Sequence, residues 1–146
     1  MAILSAQSIR QYVNTHKMIY PFEDTEQILD GVTYGLGPAG YSVRLINGLK
    51  LKPGHSAIVQ IQEYLHIPHN IKGVVADKSY WARQMLSVFN TRIQPGWEGN
   101  LVIKLINKGP LTLEFTVEMG IAEIEFHELD YPTTKPYVGK YQHQGM

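Results

Sequence analysis

Ile9 and Val13 fall four residues apart behind Ser5, a spacing that puts both on one helical face, and Ser5 is a residue type that caps helix starts. The pattern predicts a short helix over 5–14. Beyond it, glycine and proline at 31, 35, 37, 38, 40, 53, 54, 68, 73, 95, 96, 99, 109 and 110 cut the chain into pieces too short for long helices. The pieces alternate as half-buried strands do. Leu111, Leu113, Phe115 and Val117 face one way against Thr112, Glu114 and Thr116, and Ala122, Ile124 and Phe126 interleave with Glu123 and Glu125. Similar runs cover 41–46, 57–63, 85–90 and 101–107. Seven or so strands with turns every eight to twelve residues predict an all-β protein, a closed sandwich or barrel. After Leu129 the alternation fails. The tail over 131–146 is rich in Tyr, Pro, Gly, Lys and Gln, a composition that fits a frayed terminus as well as a segment with a role.

A chain of 146 residues suits one hydrophobic core, and 44% apolar with 18% charged residues suits a globular one. Thirteen basic residues balance thirteen acidic ones, so no overall field draws in a nucleic acid polymer or an anionic membrane. Any phosphate recognition is local. The absence of cysteine removes disulfides, thiolate zinc ligands and a cysteine nucleophile together. His66 and His69 sit three apart with Pro68 between them, which places them on a loop and not on one face of a metal-binding helix. Arg10, His16 and Lys17 interrupt the first twenty residues, leaving no export signal, and no stretch approaches a membrane span of roughly 18 apolar residues. The cytoplasm is the expected location.

Several segments resemble, in order, the dCTP deaminase family, which shares a fold with trimeric dUTPases. They are Pro38-Ala39-Gly40-Tyr41-Ser42-Val43-Arg44-Leu45, Lys52-Pro53-Gly54 with Val59-Gln60-Ile61-Gln62-Glu63, and a loop at Ile67-Pro68-His69-Asn70-Ile71-Lys72-Gly73. Lys78-Ser79-Tyr80-Trp81-Ala82-Arg83 resembles the family's phosphate segment, and Thr91-Arg92-Ile93-Gln94-Pro95-Gly96-Trp97 its Arg-Ile-Asp-Pro-Gly-Trp turn. Asn107-Lys108-Gly109-Pro110, the run 119–126 and the tail Pro136-Tyr137-Val138-Gly139-Lys140-Tyr141-Gln142-His143-Gln144 continue it. The tail resembles deaminases, and the glycine-rich closing motif of dUTPases is absent.

The resemblance implies a distorted jelly-roll-like β-barrel with a short N-terminal helix, one unit over 1–146, and a pocket-closing tail at 130–146. It also implies a homotrimer, or a dimer of trimers, with a small-molecule nucleotide bound between neighbouring subunits. By similarity the nucleotide-binding candidates are Lys78, Ser79, Arg83, Arg92, Tyr137, Lys140 and Gln144. An ammonium, a hydroxyl and a bidentate guanidinium on one segment suit phosphate. Magnesium enters only as the companion of a bound nucleoside triphosphate. Trp97 reads as a packing residue of its turn.

The catalytic positions depart from the family. Lys104 stands where similarity places the deaminase glutamate, and a lysine would need its pKa lowered by roughly three units to work near pH 7. Gln94 stands where the dUTPase aspartate belongs and cannot act as a base, and Ser42 replaces a carboxylate associated with magnesium-triphosphate. Asp77 and Tyr80 add charge and bulk to the phosphate segment. A carboxylate about 4 Å from a phosphate repels it by roughly 4 kcal/mol at an effective dielectric near 20. The sequence ends one residue after Gly145, short of a serine-arginine segment typical of the family, so incomplete tail closure is expected. Three functions follow: a catalytically impaired protein that binds or sequesters a nucleotide, an active deaminase (with or without diphosphatase activity) using a relocated acid (Glu63, Glu98, Glu123 or Glu125), or a structural trimer with a vestigial pocket.

Overall fold

The computed structural model describes residues 2–90 and 92–145; Thr91, part of the Pro-Gly-Trp motif, and the terminal methionines lie outside the described residues. Helix α1 (Ala6–His16) starts at Ser5, whose Oγ accepts the Ser8 amide, and buries Ile9 completely. It runs two residues beyond the expected end, because Lys17 adopts a left-handed conformation (φ 53°) and donates its N–H to Val13 O. Non-glycine residues close helices this way less often, so the sequence carried no stop signal there.

The strands are β1 (Ile19–Tyr20), β2 (Gln27–Leu29), β3 (Val32–Leu36), β4 (Tyr41–Arg44), β5 (Leu49–Leu51), β6 (Ser56–His66) and β7 (Ile71–Asp77). After a single helical turn, α2 (Ser79–Ala82), come β8 (Leu86–Phe89), β9 (Glu98–Asn107), β10 (Leu113–Phe115) and β11 (Gly120–Glu128). Eleven strands among the described residues exceed the seven or so expected. Most of the unexpected ones are two to five residues long, too short for a period of two to show. The segment expected as a loop over 67–73 instead delivers Ile71, Lys72 and Gly73 into β7, where they pair with Glu128, His127 and Phe126 of β11.

One sheet orders its strands β1-β6-β9-β8, a second β2-β3-β4-β11-β7, and a third pairs β10 with β5. Tyr41 and Val43, Ile61 and Leu65, Ile103 and Leu105, Ile124 and Phe126 come from both large sheets into one cluster and are essentially inaccessible. The chain is mostly β with one short N-terminal helix, as expected, and among the described residues no sheet closes on itself. In the expected strand 111–117 only Leu113 and Phe115 are buried. Leu111 and Val117 lie 71% and 55% exposed, because pairing with β5 stops after three residues and the chain turns through Glu118 (φ 67°).

Two irregularities shape the β6–β9 pair. Their register shifts between Gln60 and Tyr64, where β6 carries extra residues opposite Val102 and Asn100, and the Asn100 amide ties the swelling by donating to Gln62 O (3.3 Å) and Glu63 O (3.0 Å). On its other side β9 pairs with β8 only from Lys104 to Asn107. The earlier half of that edge is taken by the C-terminal tail.

Candidate functional site

The α2 segment begins where β7 ends. Trp81 is buried against Phe115 (ring centroids 4.5 Å apart) and its Nε1 donates to Gly120 O at 2.8 Å, which pins the turn to the body. Ser79 and Arg83 are left exposed at either end of the turn, and Arg83 makes no ion pair or side-chain hydrogen bond among the described residues. Lys78 behaves differently. Its Nζ turns inward and donates to Ser42 Oγ (2.7 Å) and Thr33 Oγ1 (3.0 Å), joining α2 to β4 and β3. Burial lowers its pKa from the ordinary lysine value, opposed by the nearby charges of Glu123 and Glu26. The two obstacles expected in this segment are also occupied elsewhere. The Asp77 carboxylate accepts the Val88 amide (3.0 Å) at the edge of β8, and Tyr80 packs edge-on to Trp81.

Lys104 lies on the outward face of β9 with Val102 and Ile106, as the alternation requires, while Ile103 and Leu105 point into the core. Its cross-strand partners are Ile58 of β6, 74% exposed, and Phe89 of β8, 51% exposed. Lys108 continues this side of the chain and sets its Nζ 5.5 Å from the centroid of the Phe89 ring. Around Lys104 the paired positions are Gln60, Ser56 and Ser87, together with Val102 and Ile106. Among the described residues this patch therefore holds two cations and no carboxylate. Lys104 itself makes no ion pair among the described residues.

The four acids considered for relocation are accounted for. Glu63 is wholly buried under the swelling of β6, where Oε1 accepts the Arg44 amide (3.0 Å) and Oε2 accepts Arg44 Nε (2.9 Å). Burial pushes its carboxyl above the usual carboxylate range, opposed by those two bonds. Arg44 also lies 4.8 Å over the Tyr34 ring, so its guanidinium is enclosed on both sides. Glu123 pairs across with Ser42, its carboxylate so near Gly40 that a Cβ there would come within 2.6 Å. Glu125 meets His127 Nε2 at 3.3 Å. Glu98 is on β9, six residues from Lys104 and so roughly 20 Å along the strand, with Oε1 3.7 Å from His143 Nδ1.

The tail is docked, which removes the frayed-terminus alternative. Gly96 (φ 87°) after Pro95 makes a tight turn, Trp97 N donates to Gln94 O, and the turn offers Pro95 O to the Tyr137 amide. Trp97 is buried, as a packing residue should be, and its Nε1 donates to Tyr141 O at 2.7 Å. Gln142 bridges Glu98 N and Gly96 O, and Gln144 accepts from Asn100 N through its carbonyl (2.8 Å) and from Val102 N through Oε1 (3.2 Å). Gly99 permits this approach, since a Cβ there would meet the Gln144 backbone at 2.7 Å. Tyr137 accepts the Tyr141 amide on its hydroxyl (3.0 Å), and Lys140 stands exposed over the Tyr141 ring.

The candidates thus fall into two groups. Lys78, Ser79 and Arg83 stand at the start of β8. Lys104 and Gln144 gather at its far end, and four residues of strand separate the ends by roughly 10 Å or more. Arg92 is exposed, and among the described residues no ion pair or side-chain hydrogen bond joins it to either group. Gln94 and Tyr137 line a third feature, an open cleft of about 470 Å³ beneath the tail that also takes in Lys72 and Lys135. Lys72, Lys135 and Lys108 were not singled out from the sequence; their significance depends on register and on where the tail lands. His66 bonds the His16 carbonyl through Nδ1 (3.1 Å), and among the described residues no three His, Asp or Glu side chains converge to hold a metal.

Residues 41–129 match the model of the dCTP deaminase-like family. The chain is 30% identical to the dCTP deaminase of Chlamydia felis, covering 99% of this chain and 96% of that one, and 29% identical to the dCTP deaminase of Chloroflexus aggregans, with coverages of 99% and 95%. Its fold is similar to that of the 2'-deoxycytidine 5'-triphosphate deaminase from Agrobacterium tumefaciens (TM-score 0.68, 16% identity, 86% of this chain and 48% of that one). It is also similar to EIAV dUTPase, with a TM-score of 0.58 at 19% identity over 70% of this chain and 85% of that one.

Proposed function

The chain belongs to the dCTP deaminase-like family, and on that premise we propose a nucleotide-binding protein that works by holding its ligand rather than by deaminating it. The observation that carries the proposal is the patch around Lys104, where a cation replaces the expected acid and no carboxylate among the described residues accompanies it. A protonated lysine cannot take a proton from water, and none of the four candidate acids is free to substitute at that place. Glu63 is committed to Arg44, Glu123 to the neighbourhood of Lys78, Glu125 to His127, and Glu98 lies at the wrong end of the strand.

In this reading the nucleotide sits between copies of the chain in a homotrimer. The separation of the two residue groups along β8 supports it, because a ligand held by Arg83 and Ser79 of one copy and by Gln144 and the Lys104 face of another needs both. Lys78 holds the phosphate segment in place, Arg92 and Lys140 supply further positive charge, and Tyr137 covers the ligand within the single unit 1–146. A magnesium ion accompanies a triphosphate without a carboxylate cage. The working location is the cytoplasm.

Thermal unfolding with and without nucleotides tests the proposal. A ligand at a hundred times its dissociation constant stabilises the fold by about 2.7 kcal/mol. A shift with a deoxynucleotide, and no ammonia from dCTP after long incubation with magnesium, is the expected result. Turnover of dCTP or dUTP at ordinary enzyme rates sinks it, and no shift with any nucleotide, cyclic dinucleotide or nucleotide sugar leaves a structural trimer.

A further inference from the structure

The patch around Lys104 has a hydrogen-bonding polarity, and we infer from it that the ligand's base presents a carbonyl rather than an amine: the site takes a uracil or thymine nucleotide in preference to a cytosine one. The inference rests on the reading that a pyrimidine nucleotide binds at this face. It concerns which base the face selects, independently of whether any chemistry follows.

An ammonium offers three donors and no acceptor. Lys104 stands between Ile58 and Phe89, two apolar side chains that satisfy none of those donors, and Lys108 over the Phe89 ring adds positive charge beside it. Asp77, at the end of β7, is held on the Val88 amide, and along β9 the first acid is Glu98 beside His143. Gln144 already accepts from Asn100 N and Val102 N through its two carbonyl oxygens. When a ligand covers this patch, the Lys104 ammonium loses water and must find an acceptor on the ligand. Position 4 of uracil and thymine is a carbonyl oxygen that accepts. The same position of cytosine is an amino group whose hydrogens meet the ammonium donor to donor, so the cation finds no acceptor at that position. A hydrogen bond to a charged group contributes enough that its loss corresponds to roughly 10- to 100-fold in affinity. Sites built to pair one polar group reject its counterpart for this reason.

The test is calorimetric titration of the full chain with non-hydrolysable α,β-imido analogues of dUTP and dCTP in magnesium buffer, on the wild type, Lys104→Glu and Lys104→Met. Lys104 is exposed, so neither variant perturbs the core. The expected result is binding of the uracil analogue at least about tenfold tighter than the cytosine analogue, reversal of that order in Lys104→Glu, and near-equal binding in Lys104→Met. Equal affinities in the wild type, a cytosine preference, or an order unchanged by Lys104→Glu overturns the inference while leaving nucleotide binding intact. Failure of both analogues to bind the wild type removes the pyrimidine reading itself and the inference with it.

Discussion

Lys78 and Lys104 are the same residue in two opposite settings. Lys78 is drawn under α2 onto two hydroxyls, with acidic side chains nearby, and Arg44 beneath the swelling of β6 is enclosed more fully by Glu63 and Tyr34. Lys104 stands on the opposite sheet with apolar neighbours and no ion-pair partner among the described residues. The difference separates charges that hold the molecule together from charges available to something else. Spacing along the chain does not distinguish them, because both sit at motif positions where the resemblance places a ligand or a catalyst.

The contrast breaks first at Glu63. Glu63→Gln leaves Arg44 buried without its counter-charge and should cost about 3–5 kcal/mol in urea denaturation, whereas replacing both residues by apolar ones of similar volume should recover much of that loss. Lys78→Met comes next: Ser42 and Thr33 lose their shared donor, for a destabilisation of about 1–3 kcal/mol. If the same variant keeps full stability and loses nucleotide, Lys78 belongs with the ligand and the division fails. Lys104→Met should change stability by no more than about 0.5 kcal/mol, its effect being confined to binding.

The smallest effect is in pH. The folded pKa of Lys78 lies below 10.5, so between that lowered value and 10.5 the unfolded chain holds more protons than the folded one and stability contributed by this group rises with pH. Denaturation midpoints of wild type against Lys78→Met should therefore move in favour of the wild type as pH climbs through that window, and a fixed difference would show that the ammonium is not desolvated.

The helix start at Ser5, the alternation that turns Lys104 outward and the packing role of Trp97 were all legible from residue types and periods. The short strands β1, β2, β3 and β5 were not, since two to five residues carry too little pattern, and β7 hid because its Val74-Val75-Ala76 run has no alternation to read. The pairing of Glu63 with Arg44 depends on extra residues in β6, and the inward turn of Lys78 on strands 36 and 45 residues earlier. Such contacts are set by register between distant segments, which no local pattern encodes. The tail's composition permitted two outcomes, and docking depends on the room left at Gly96 and Gly99 and on the bonds of Trp97, Gln142 and Gln144, all set by distant register.

That docking has a consequence for the behaviour of the chain in concentrated solution. Residues 98–102 of β9 have no strand of the same sheet on one side, and an open row of amides and carbonyls invites a stranger's backbone to add itself. The tail fills the row with its own Gln142, His143 and Gln144, bonded at Glu98, Asn100 and Val102. Clipping it before Pro136 would turn a guarded margin into an adhesive one, and the trimmed molecule should assemble into ordered aggregates that the intact one resists.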